Sequence, residues 1–406
     1  MCAVVACGGY DEPPTVRSDL ARNVTPEVSP ADQAALVAGN TEFAADLYRE
    51  VCGTPGNLFM SPHSISIALA MTYAGAAGTT AVQMAEALGF ALPAEQLHPA
   101  FDHLDLELAS RGATAGSHTI PFRLEIANSI WGQHGKQFRD PFLDTLAVNY
   151  GTGLHVLDFE ADPDGSRETI NGWVEQRTND KIVELLPDGS ITSDTQLVLT
   201  NAIYFTAAWA EPFDAGQTAT RPFQIAGSPV PVATLHQDFE ASYGEGDGFR
   251  AAELAYDGGK LAMVIVVPDD LAAFEATLTG ATFAAITGSL RGHMLDLTLP
   301  KFSFDAGLDL KKPLEALGMV DAFSSATADF SGIDGARGLV IDDVLHKGFV
   351  AIDENGTEAA AATAVLVGNT AVPERATLQV DRPFVFFIRD IPTGAILFVG
   401  RVVDPR

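Results

Sequence analysis

The sequence predicts an α+β fold. Helical periodicity occupies its first half, strand patterns dominate its second, and no run of alternating βαβ units appears. A third observation is a long connection of small residues between two apolar, β-rich segments, Val340 to Ile352 and Phe384 to Ile388. Connections of that length are uncommon in compact domains and are usually functional or disordered. This one carries few charges and no proline before Pro373, unlike a disordered linker.

Taken in order, Pro30 to Val51 reads as an amphipathic helix, because Leu36, Asn40, Phe43, Leu47 and Val51 recur at helical spacing. Pro30 suits its first turn. Ser64 to Ala74 and Thr80 to Leu88 are further helices, stopped by Gly75 and Gly89. Ala94 to Ser110 is helical and acidic. Phe122 to Trp131 and Leu154 to Phe159 alternate as strands do, and Arg167 to Thr178 returns to helix. Gln196 to Phe205 is a long apolar strand. Ala251 to Val267 suggests two strands joined at Asp257-Gly258-Gly259-Lys260. Leu295 to Phe304 reads as one strand, and Leu310 to Leu317 as a short helix closed by Gly318. Asp162-Pro163-Asp164-Gly165 reads as a turn. Gly244, Gly246 and Gly248 lack the strand-to-helix setting of a dinucleotide site and read as a flexible acidic loop.

Composition narrows the function. The chain has 406 residues, 47% of them hydrophobic, enough for one large core. A net charge of −29 argues against nucleic acid and anionic membranes as partners, and against a heparin-type cofactor. Three cysteines, Cys2, Cys7 and Cys52, give no disulfide framework. Cys52 reads as a small buried hydrophobe at a helix end. Val4-Val5-Ala6-Cys7-Gly8-Gly9 matches a bacterial lipobox, in which Cys7 would be lipidated and tether the chain to a membrane. The basic and apolar regions of a signal peptide are missing, so either the true start lies upstream or the match is chance. With lipidation the protein is extracellular or at the cell surface; if Met1 is the true start, it is cytoplasmic. Residues 1–30 would be the tether and 31–406 a single domain. No nucleophile elbow, P-loop or H-E-x-x-H is present, and the nine histidines do not cluster as metal ligands. No enzyme activity, cofactor or metal is expected.

The connection itself is informative. From Thr357, alternate residues are Thr357, Ala359, Ala361, Thr363, Val365 and Val367, a face of small side chains able to lie against a core. Gly356 supplies a backbone pivot. An alanine run also favours helix, but its flanks are strand-like.

These residues resemble a known family. Glu354-Asn355-Gly356-Thr357-Glu358-Ala359-Ala360-Ala361-Ala362-Thr363 is similar to the reactive-loop hinge of inhibitory serpins. Asn57-Leu58-Phe59-Met60-Ser61-Pro62-His63-Ser64 resembles the family's entry to its second helix. Asn201-Ala202-Ile203-Tyr204-Phe205 with Trp209 and Phe213, Leu299-Pro300-Lys301-Phe302, His346-Lys347, Asp381-Arg382-Pro383-Phe384 and Leu397-Phe398-Val399-Gly400-Arg401 follow in the family's order. The chain departs at Thr206-Ala207, where many members carry Lys-Gly at a local turn.

The resemblance implies a serpin fold, with helices packed around a large central mixed sheet plus smaller sheets, and an exposed reactive-centre loop at about 354–380. It implies a suicide inhibitor of serine proteases, not an enzyme. By the family's spacing the reactive bond is Thr370–Ala371, and the small side chain suits elastase-like or subtilisin-like targets. Ser61, Ser64, Asn201 and His346 would form a hydrogen-bonded shutter beneath the sheet. Lys301, Glu354 and Trp209 would bracket the breach at its top. A monomer is expected. The rival reading is a non-inhibitory serpin-fold binding or storage protein.

Overall fold

The computed structural model describes residues 12–114, 123–357 and 374–406. Helix α1 (Pro30–Val51) begins where Ser29 accepts the Asp32 N–H and Pro30 opens the first turn; the five residues of its expected stripe are all buried. Almost every residue of α2 (Pro62–Tyr73) is buried, so this helix runs through the core. Then come α3 (Gly78–Ala87), α4 (Ala94–Ala109), α5 (Asp140–Tyr150) and α6 (Pro163–Arg177). Short helices α7 (Leu271–Ala276), α8 (Gly280–Ser289), α9 (Lys311–Ala316) and α10 (Ser331–Asp334) lie later.

The strands begin with β1 (Thr15–Val16), β2 (Leu58–Met60), β3 (Arg123–Gln133) and β4 (Leu154–Leu157). β5 (Leu197–Ala208), β6 (Ala219–Ile225), β7 (Ser228–Gly246), β8 (Phe249–Ala255) and β9 (Leu261–Pro268) follow. The last are β10 (Arg291–Pro300), β11 (Phe302–Asp309), β12 (Asp343–Ile352), β13 (Gly356–Thr357), β14 (Arg375–Gln379), β15 (Phe384–Asp390) and β16 (Ile396–Val402). They form a seven-stranded sheet, β1-β4-β3-β5-β13-β12-β11, and a nine-stranded sheet, β14-β10-β7-β8-β9-β15-β16-β2 with β6 on β7.

Several expectations are corrected. Leu295 to Phe304 is not one strand: the chain leaves the nine-stranded sheet at Pro300 and enters the seven-stranded sheet at Phe302. Both ends are buried, so the apolar pattern ran on across the crossing. Asp162-Pro163-Asp164-Gly165 starts α6, with Asp162 Oδ1 accepting the Gly165 N–H at 3.0 Å and Pro163 in the first turn. Gly244 and Gly246 belong to β7 and pair with β8. A Cβ at Gly244 would lie 2.3 Å from Ser289 Oγ, so the glycine permits close packing against the end of α8. Thr206-Ala207 continues β5 and makes no turn.

The stretch expected as a tether behaves differently from residue 12 onward. β1 adds to the edge of the seven-stranded sheet through Thr15↔His155 and Val16↔Leu154. Arg22 Nε reaches the fully buried Asp102 of α4 at 2.7 Å, and Ser18 Oγ donates to Asp144 of α5 at 2.5 Å. Cys7 lies outside the described residues.

Candidate functional site

The site grows from the way β5 and β12 meet. They are parallel neighbours from Asp343↔Val198 to Phe349↔Tyr204. Above that ladder, β13 is wedged between them and runs antiparallel to both, with Thr357 opposite Ile352 on one side and Ala207 on the other. The sheet is thus closed along its lower length and already split at its top.

Local chemistry makes the wedge. β12 ends in a tight turn in which Asp353 Oδ1 accepts the Asn355 N–H at 2.8 Å and the Gly356 N–H at 3.3 Å. Gly356 has φ +156°, and a Cβ there would sit 2.2 Å from the Ala207 carbonyl oxygen. Only glycine brings the chain that close to β5. Thr357 is then fully enclosed: its carbonyl accepts from Thr206 Oγ1 at 2.8 Å and its hydroxyl shares a 2.7 Å bond with Tyr256 Oη. Burial raises the Tyr256 pKa, partly offset by that bond.

Trp209 and Phe213 clamp the turn. The Trp209 N–H donates to the Asn355 carbonyl at 2.8 Å and the Phe213 N–H to that of Glu354 at 2.7 Å. Trp209 Nε1 reaches the Asp353 carbonyl at 3.1 Å, while its ring stacks on Tyr256 with centroids 4.7 Å apart. The Glu354 carboxylate takes Lys301 Nζ at 2.6 Å and Thr218 Oγ1 at 2.7 Å. Burial works against its charge, but the Lys301 and Thr218 bonds hold its pKa below the usual carboxylate range. The predicted breach residues Lys301, Glu354 and Trp209 therefore meet around one turn.

Lower down, a polar row crosses the same sheet. Asn128 of β3 stands opposite Asn201 of β5, and Asn201 opposite His346 of β12. Asn201 Nδ2 donates to Ser64 Oγ at 2.7 Å and to Asn128 Oδ1 at 2.6 Å. Ser64 Oγ also donates to Asn128 Oδ1, at 3.0 Å. His346 Nδ1 is bonded to Asn201 Oδ1, and its Nε2 accepts the Ser61 N–H at 3.2 Å. An acceptor on one ring nitrogen and a donor on the other fix a neutral imidazole, whose pKa burial pushes down to about 3. Ser61 Oγ donates to the Leu397 carbonyl at 2.7 Å and caps α2.

The predicted shutter residues Ser61, Ser64, Asn201 and His346 are thus brought together. Sequence reasoning missed the fifth member, Asn128; its signal was one polar residue on the strand face that Leu124 and Ile130 make apolar. The predicted hinge is described only at Glu354, Gly356 and Thr357. Glu358, Ala359, Ala360, Ala361, Ala362, Thr363 and the bond Thr370–Ala371 lie outside the described residues.

Comparison with known proteins agrees with this geometry. The family model described as Serpin (serine protease inhibitor) matches residues 38–405. An uncharacterized serpin-like protein of Thermococcus kodakarensis is 36% identical over 98% of this chain and 90% of its own. The leukocyte elastase inhibitor of Bos taurus is 38% identical over 91% of this chain and 99% of its own. Among solved structures, the thermophilic serpin tengpin in its native state superposes with a TM-score of 0.85 at 27% identity, covering 97% of this chain and all of that one. With the family matched along nearly its whole length, the chain belongs to the serpins.

Proposed function

We propose that this serpin is a suicide inhibitor of elastase-like or subtilisin-like serine proteases. One observation carries the reading: β13 is an antiparallel wedge at the head of a parallel β5–β12 ladder. Parallel pairing is slightly the weaker per residue. Extending β13 downward would replace one parallel ladder with two antiparallel ones and bury further side chains. While both ends of the loop are held, at β13 and β14, the chain cannot follow.

Cleavage releases it. The protease serine Oγ attacks the Thr370 carbonyl carbon, the Thr370–Ala371 amide bond breaks, and Ala371 departs as an amine protonated by the protease's own acid. The loop then enters the sheet with the protease attached to Thr370 as an ester. From Thr357 to Thr370 the extended chain reaches about 43 Å, at roughly 3.3 Å per residue. The protease is carried along and distorted before water can hydrolyse the ester. The native fold is then a kinetic trap.

The shutter gates this step. Strands lie about 4.8 Å apart, so an inserted one separates β5 and β12 to about 9.6 Å. No Asn201–His346 bond survives that distance. Polar contacts of this kind hold the sheet shut and can re-form with new partners.

Incubation with pancreatic elastase or subtilisin, followed by a denaturing gel, tests the proposal. An SDS-stable adduct is expected, with the released fragment beginning at Ala371 by mass spectrometry. Clean clipping without adduct favours the non-inhibitory reading, and cleavage after Arg375 overturns the choice of target.

A further inference from the structure

Behind the clamp lies a cavity of about 340 Å³, between the end of β5 and strands β7, β8 and β10. Trp209, Phe213, Phe239 and Leu254 give it an apolar, largely aromatic wall. Phe213 meets Trp209 and Phe239 edge-on, at centroid distances of 6.5 and 5.8 Å. Two carboxylates complete the lining, Glu211 half-buried and Glu240 at the exposed mouth. A third, Glu253, is neutralised by Arg389 at 2.6 Å. Among the described residues, neither Glu211 nor Glu240 has a cation in ion-pair range. Burial, and then the nearby Glu240 charge, raise the Glu211 pKa.

An aromatic wall faced by two free carboxylates suits a ligand with an apolar body and a positive head. Cations are attracted to aromatic rings as well as to carboxylates, and the volume lies within the usual range for small-molecule pockets. We infer that this cavity is a binding site for a small organic cation, an aromatic or alkyl ammonium compound.

The site is linked to the loop. Trp209 and Phe213 line the cavity and donate their backbone N–H groups to the hinge carbonyls of Asn355 and Glu354. An occupant therefore bears on the residues that grip the turn, and loop insertion must alter its affinity by the same factor that it alters insertion. This link rests on the insertion reading; binding itself does not.

Isothermal titration of the intact protein with tryptamine tests binding, with neutral tryptophol and anionic indole-3-propionate as matched controls. Tryptamine is expected to bind at least tenfold more tightly than tryptophol, and indole-3-propionate not at all. In the doubly substituted Glu211→Gln, Glu240→Gln protein that preference should collapse while tryptophol binding persists. Equal binding of tryptamine and tryptophol, or unchanged preference in the double variant, overturns the site, as does failure of all three to bind at millimolar concentration. Repeating the titration on loop-cleaved protein tests the link: an affinity change of at least threefold is expected, and equal affinities remove the coupling while leaving the inhibitor reading intact.

Discussion

The two sheets of this protein solve opposite problems. In the nine-stranded sheet, every residue of β9 and β16 is buried, and neighbouring strands meet through apolar side chains such as Ile265, Phe386 and Val399. Among the described residues, no polar row like that of Asn128, Asn201 and His346 crosses β9 and β16. In the seven-stranded sheet, the seam between β5 and β12 carries Asn201 against His346, with a two-residue wedge already at its head. Apolar burial is non-directional and opposes opening in proportion to area, whereas a hydrogen bond can be exchanged for another. On the proposed insertion mechanism, the sheet that opens keeps its polar groups at the parting line.

The largest expected effect comes from blocking the wedge. Thr357 is only 1% exposed, so Thr357→Arg would have to bury an unpaired charge or expel β13. The variant should be clipped by elastase without adduct, and an adduct yield equal to the parent's would contradict the role given to β13. In the closed sheet, Ile265→Ala should cost about 2–5 kcal/mol, from lost burial plus a cavity. Denaturant melts should show that loss equally in intact and cleaved protein. A difference between the two forms would erase the contrast between the sheets.

Next is the segment that follows β1, anchored on α4. Arg22→Ala strands the buried Asp102 carboxylate, and about 1–3 kcal/mol of stability should disappear by denaturant titration. The seam also responds to acid. Burial holds His346 down to about 3, and His63 and His98 to about 4, from an ordinary 6.5. The unfolded chain therefore takes up protons that the native fold refuses as pH falls below 6.5. Their contribution is intact above pH 6.5 and is lost progressively towards about pH 4 for His63 and His98 and about pH 3 for His346, so the melting temperature should drop across that window. His346→Gln should flatten the slope; an unchanged slope would mean that the ring is not held neutral. The smallest effect is that of Lys301→Ala, about 0–1 kcal/mol for a partly exposed pair. Its main consequence should be positional, seen in the rate of adduct formation.

Much of this contrast was legible in the sequence. Regular spacing announced α1, and Gly356, read as a backbone pivot, is where the chain turns in beside Ala207. Ser61, Ser64, Asn201 and His346 were found because their motifs resemble a family, not because spacing brings them together; residues 285 positions apart share no local signal. Asn128 stayed hidden as a single polar residue in a strand read only for its apolar alternation. The anchoring of residues 12–29 was hidden for a different reason. A stretch rich in Pro, Ser and Thr reads as tether, and only the fold reveals that Asp102, one acid among many in α4, is buried and needs Arg22. Helix α8 escaped because its small residues give almost no amphipathic period. That β13 is already seated was also invisible, since it depends on how closely Gly356 approaches Ala207.

Scanning calorimetry of the intact protein beside its loop-cleaved form tests the central claim most directly. If the native sheet lacks a strand that it is built to accept, the cleaved molecule melts well above the intact one. Identical melting temperatures would mean that cutting releases no stored free energy, and the account would fail.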